Sequence, residues 1–311
     1  MDEQTESQLQ DAILYLRLGQ PEQAYKITST LFEQALESEE VIYTNRCCVF
    51  WIDSRKRLEQ IADPYVRSEN TLNEWKSFKD FITRETKVYE PAFYAEKKGF
   101  FTNALNSFSE LLDCSDSLQK AEMYRRTGIC YKKLGDFENA RTCLIEANNA
   151  HEGLASVLAE MADCYSLCGE DRIGKVLFRE AFFQNPEAID LNFLDSQLIK
   201  CLVKNIQGKK GYTGKQLLYW IPVYGVIGGI FNIKRPLSSL EVARLAKNIY
   251  QMENEYKDPS CNEEILVPKL LNSYFWLIDH YVLTHESVPK INEILLKIKI
   301  LDSQIYEAYT N

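Results

Sequence analysis

Three histidines, nine cysteines and one glycine- and lysine-rich segment are the places where chemistry would be sought in this chain. His151, His280 and His285 lie outside any H-E-x-x-H pair and away from any Gly-x-Ser-x-Gly elbow. Each falls at or near an expected helix end, where solvent exposure or packing accounts for it. Cys164 and Cys168, at i and i+4, would share one helical face. A metal site needs two further ligands, and the sequence places none beside them. Cys47 and Cys48 are read as core residues, and no C-x-x-C occurs. Gly208-Lys-Lys-Gly-Tyr-Thr-Gly-Lys215 has the composition of a phosphate loop but not its spacing. Five residues separate Gly208 from Gly214 where four are needed, and Gln216 replaces the metal-binding hydroxyl. This segment is read as a solvated turn. The expectation is a protein that is no enzyme and holds no metal or cofactor.

Composition agrees with that expectation. The chain has 311 residues, 45% hydrophobic and 26% charged, enough for a substantial core. Its formal charge is -9, and the basic clusters Lys209-Lys210 with Lys215 and Lys234-Arg235 are short, which argues against nucleic acid as a partner. The cysteine number is odd, and the acidic N-terminus has neither the basic nor the apolar region of a secretory signal. Both features point to a reducing, cytoplasmic setting.

The elements that would position any functional side chain are helices, and they repeat. From Ala121 the chain reads Tyr124, Gly128, Tyr131, Leu134-Gly135, Phe137, Ala140, Leu144 and Ala147. A shift of 34 residues converts Gly128 to Ala162, Tyr131 to Tyr165, Gly135 to Gly169 and Leu144 to Phe178, and Pro186 closes the unit. Cys130 and Cys164 occupy equivalent small, buried positions. Gly135 and Gly169 suit a left-handed helix end. Gly128, Ala162 and Ala140 suit a close helix crossing. Gly174 stands where Ala is expected, a change that weakens a helix by roughly 1 kcal/mol.

This pattern resembles the tetratricopeptide repeat. Weaker copies are read around Gly19 (residues 5–38) and Gly99 (residues 85–118), the latter with a helix on each side of its glycine and a kink or late start at Pro91. Residues 39–84 form a degenerate helical pair, divided before Asp63-Pro64. Its stripes are Trp51, Ile52, Leu58 and Ile61, then Leu72, Trp75, Phe78 and Ile82. A closing helix at 187–207 ends at Gly208. The resemblance implies an all-α fold: a right-handed helical superhelix, or α-solenoid, over residues 1–207, with a concave binding face.

Residues 208–236 are read as a connector and 237–311 as a C-terminal helical bundle. Leu217 to Ile233 carries no charge over 17 residues. It is short of the roughly 20 residues of a membrane span and is interrupted by Pro222, Gly225, Gly228 and Gly229. The leading reading is a buried connector. Trp220, Tyr224 and Phe231 are the candidates if it is instead an apolar docking or membrane-surface segment. Three bundle helices are expected: one opened by the capping box Ser238-x-x-Glu241, one over 262–284, and one from Ser287 through Ile305.

In the repeat family, the concave groove is lined by first-helix positions. Carried over, these are Tyr89, Phe93, Glu96 and Lys97, then Glu122, Arg125, Arg126, Ile129, Lys132 and Lys133, then Asp163 and Ser166, and on the closing helix Phe193, Gln197 and Lys200. Basic residues beside aromatics would suit a protein or peptide with acidic groups. Leu9, Ile13, Tyr89 and Phe93 stand where a chaperone-tail clamp would want Lys and Asn. The expected function is a non-catalytic scaffold or adaptor for a polypeptide. The alternatives are a membrane-peripheral assembly or transport-associated factor docking through 217–233, and a peptide or small-molecule sensor.

Overall fold

The computed structural model describes residues 3–34, 38–84 and 87–310. Residues 35–37, 85 and 86, at the edges of two expected repeat copies, lie outside them. Every regular element among the described residues is helical. Backbone contacts divide the chain into two compact units, Met1–His151 and Glu152–Asn311.

The first unit holds α1 (Glu3–Arg17), α2 (Pro21–Gln34), α3 (Glu39–Glu59), α4 (Pro64–Ile82), α5 (Glu90–Ser109), α6 (Ser117–Leu134) and α7 (Phe137–Ala150). Successive helices pack as α1–α2, α2–α3, α5–α6 and α6–α7. The expected hairpins at Gly19 and Gly135 are present. Gly135 takes φ +87° after α6, and a Cβ there would meet nothing, so the left-handed backbone is what requires glycine. Asp63 caps α4, with Pro64 in its first turn, as expected of the degenerate pair.

Two expectations are corrected in this unit. The copy around Gly99 is not a helix pair, because α5 runs unbroken through Gly99. Its apolar face outweighs the propensity cost of one glycine. Pro91 lies in the first turn, where proline costs least, so the late start is what occurs. Packing is also not purely between neighbours, since α5 returns to α1. Gly99 permits this: a Cβ on it would overlap the Leu16 carbonyl oxygen.

The second unit holds α8 (Ala155–Leu167), α9 (Asp171–Gln184), a 3-10 turn (Pro186–Ala188), α10 (Gln197–Lys210), α11 (Gly214–Ile227), α12 (Ser239–Glu255), α13 (Glu263–Leu283), α14 (Val288–Leu301) and α15 (Ser303–Thr310). The α8–α9 hairpin turns at Gly169, φ +82°, as its repeat pattern predicts. Gly174 sits at a close crossing rather than merely weakening α9. A Cβ there would meet the Ala162 carbonyl oxygen at 2.9 Å.

The closing helix begins at Gln197, not after Pro186. Asp163 on α8 accepts the backbone N–H groups of Asp195 (2.9 Å) and Ser196 (2.8 Å), which holds the non-helical approach in place. That helix ends at Gly211, φ +72°, past the expected Gly208. At the far end Asp302 breaks the expected last helix in two and accepts the Ile305 N–H at 3.0 Å.

The uncharged stretch is the hub of this unit. α11 packs on α9, α10, α13 and α15. A helix apolar on all sides must be covered on all sides. Beyond it, Phe231 folds back over Gly225, whose carbonyl accepts the Ile230 and Phe231 N–H groups at 2.9 and 2.8 Å. A Cβ on Gly225 would overlap the Phe231 ring. The following strand of chain is fastened by charge. Buried Arg179 pairs with Asp279, donates to the Ile233 carbonyl at 2.8 Å and lies 4.6 Å from the Trp276 ring centre. Arg235 joins Glu180 at 2.8 Å to Glu241 at 2.6 Å.

Candidate functional site

Most residues expected to line an open groove are engaged in packing. In the first unit, Arg126, Ile129, Lys132 and Lys133 are buried, while Tyr89, Phe93, Glu122 and Arg125 are half-buried. Arg126 donates to Glu122 at 3.0 Å and to the Tyr65 carbonyl at 3.1 Å, and it also reaches the Ser68 hydroxyl. Arg125 donates to Glu122 at 2.8 Å. Together the two guanidinium groups hold the Glu122 carboxyl below the usual carboxylate range, against the desolvation that would raise it. Of the basic positions carried over from the repeat family's groove, Arg126, Lys132 and Lys133 are thus buried rather than open. The helix spacing was sound, but a long cationic side chain folds into the packing when partners are within reach.

In the second unit, Asp163 and Phe193 are buried, and Gln197 and Lys200 are exposed. Lys200 pairs with Asp195 at 2.9 Å. Trp220 and Phe231 are buried and Tyr224 is half-buried, so most of the candidate docking segment's large side chains are taken up in packing. Among the described residues no helix is long and apolar enough to cross a membrane.

One cavity of the first unit has the features of a binding site. Its volume is about 210 Å³. Each wall is one face of a helix. α5 supplies Glu96, Phe100, Asn103 and Ser107, and α3 supplies Trp51, Ser54, Arg55 and Leu58, both sets at helical spacing. Arg67 and Thr71 come from α4, and the α1–α2 turn supplies Leu16, Gly19 and Pro21. The aromatic wall is packed: Trp51 and Phe100 centres are 4.8 Å apart, and Trp75 backs Phe100 at 5.3 Å.

Polar groups at this cavity divide by depth. Near the mouth, Arg55 donates to Glu22 at 2.8 Å and to the Gly19 carbonyl. Asn103 donates to the same carbonyl at 3.1 Å, and Arg67 donates to the Ile61 carbonyl at 2.8 Å. Deeper in, Glu96 is only 2% exposed, and neither of its carboxyl oxygens has a well-formed hydrogen bond to a protein group. The Trp51 indole N–H is likewise unmatched. Burial pushes the Glu96 carboxyl well above its usual range, and the Cys47 thiol beside it, a weak donor, offsets this only in part. Burial and the nearby Glu96 in turn push the Cys48 thiol up to about 12. A buried polar group left unmatched costs about 1–3 kcal/mol. Native cores keep few of them.

The second unit has a wider cleft of about 630 Å³, edged by Phe183, Arg244, Gln251, Lys269 and Asn272. None of its edge residues carries an unmatched buried polar atom. His280 is structural: its Nδ1 accepts the Leu237 N–H at 3.2 Å. His151 and His285 are exposed. Among the described residues no group of three or more His, Cys, Asp or Glu is placed to hold a metal ion.

Sequence reasoning placed Glu96 on a ligand-facing helix but missed Trp51, Arg55, Arg67 and Phe100. A charged residue on the otherwise apolar stripe Ala92–Gly99 was the available signal. No protein-family model and no curated protein sequence matches this chain.

Proposed function

We propose that this chain is a non-catalytic helical scaffold of the tetratricopeptide type that binds a polypeptide. Helix hairpins closed by left-handed glycines at Gly19, Gly135 and Gly169 support the class. The observation that carries the binding reading is the first-unit cavity, with aromatic walls, guanidinium groups at its mouth and an unmatched carboxyl within. Guanidinium donors suit the carbonyl oxygens of a passing chain, and an aromatic recess suits one inserted side chain. The sensor reading stands second, because the same recess would also hold a small molecule. Panning a random peptide library on the full chain tests the proposal. The expected result is a convergent peptide set whose binding weakens with Arg67→Glu, a substitution at an exposed position. A library that enriches no sequence over the blank support would overturn it.

A further inference from the structure

We infer that the first-unit cavity is a receptor for a primary ammonium group carried on an unbranched alkyl stem, with Glu96 as its counter-ion and Trp51 and Phe100 as its walls. The inference rests on the scaffold reading only for the source of that group, a lysine side chain in a bound polypeptide or a free alkylamine.

Size comes first. About 210 Å³ exceeds the roughly 150 Å³ of a cavity that takes up benzene, and falls short of the roughly 300–1,000 Å³ of clefts for drug-sized ligands. The space suits one long side chain. The lining agrees, because Leu16, Leu58 and Ala104 add apolar surface for the stem in the same cavity as the carboxyl.

Charge selects the ligand's head group. Among the described residues Glu96 is the sole acid lining this cavity, and both its oxygens are unmatched acceptors once ionised. An anion could take at most one hydrogen bond from that carboxyl while it is protonated, and would be repelled once it ionised. A neutral apolar ligand would leave it unmatched. An ammonium donates up to three hydrogen bonds and is attracted to the faces of the Trp51 and Phe100 rings. The rim does not oppose entry strongly. Arg55 is neutralised by Glu22 at 2.8 Å, and Arg67 is exposed and directed to backbone carbonyls. Binding favours the ionised carboxyl, so uptake of an ammonium is coupled to release of the Glu96 proton wherever the free protein holds it.

The test uses butylammonium on the full chain, with butanol and butyrate as neutral and anionic controls, read by saturation-transfer NMR and titration. Butylammonium is expected to bind the wild type, and the controls are not. Glu96→Gln is expected to weaken binding at least tenfold while melting no lower than the wild type. Ser107→Trp, which keeps the carboxyl but crowds the mouth, is expected to weaken it as well. Absence of butylammonium binding, equal binding to Glu96→Gln, or equal binding of butanol would each overturn the inference. Peptides selected on the chain separate the two sources. Loss of binding when their lysine is replaced by norleucine supports a lysine side chain. Butylammonium binding that needs Glu96, with no peptide bound, supports a free amine and sinks the scaffold reading alone. Peptides that bind without butylammonium doing so sink the ammonium receptor and leave the scaffold standing.

Discussion

Glu96 and Glu241 are two carboxylates whose surroundings push them in opposite directions. Glu96 is raised by burial, so the folded protein retains its proton above pH 4.5, where the unfolded chain gives it up. Its contribution to stability therefore declines as pH rises from about 4.5 through the folded value. Glu96→Gln should remove that decline. Its melting temperature relative to wild type is expected to be higher at about pH 8 than at about pH 5, and a difference independent of pH would refute the neutral-carboxyl assignment. Glu241 is lowered from 4.5 to about 2, chiefly by hydrogen bonds from Arg235, and it also closes the capping box on Ser238. Its contribution is present above about pH 4.5 and fades as pH falls toward 2. Glu241→Gln should flatten that acid limb of the unfolding curve and lower stability at neutral pH. Ser238→Ala should cost about 0.5–2 kcal/mol at neutral pH in urea titration, since it removes the cap of α12. The capping box was legible in Ser238-x-x-Glu241, because both partners lie within one turn. The environment of Glu96 was not, because its neighbours come from residues 16–71.

At the scale of elements, two glycines outside left-handed turns govern packing. Gly99→Ala would drive a methyl group into the Leu16 backbone carbonyl. Overpacking of this kind costs about 1–3 kcal/mol, and the cost should appear as a lower urea midpoint with the slope unchanged. Phe231 is 1% exposed and closes over Gly225. Phe231→Ala is expected to cost about 3–5 kcal/mol, and a loss below 1 kcal/mol would mean that the chain after α11 does not seal the second unit. Helix existence was readable from apolar spacing in most of the chain, including the degenerate pair that became α3 and α4, but not at α11, where Pro222 and the glycines pointed to a connector. Boundaries were readable where a local device sets them, as at Asp63-Pro64, Gly135 and Gly169. They were misread where tertiary contacts set them. α5 passes through Gly99 because its whole length has a surface to cover, and α10 begins late because Asp163 holds Asp195 and Ser196 from another helix.

For the whole molecule, the uncharged stretch is the sharpest case. α11 is enclosed by α9, α10, α13 and α15, so its amides should be among the slowest to exchange with deuterium. The folded protein should stay in the supernatant of phosphatidylcholine–phosphatidylserine vesicles. Sedimentation with the vesicles under native conditions would revive residues 217–233 as a docking segment. The sequence by itself determined the helical class, the hairpins at Gly19, Gly135 and Gly169, and the absence of motifs that mark known catalytic sites. All of these depend on residues within one or two helical turns, where spacing alone fixes which side chains meet. Only the tertiary structure decided that α5 returns to α1, that most of the basic face of α6 is buried, and that Glu96 shares a cavity with Trp51 and Arg55. Those facts depend on contacts between residues far apart in the chain, and a periodic pattern shows which face of a helix is covered without showing what covers it.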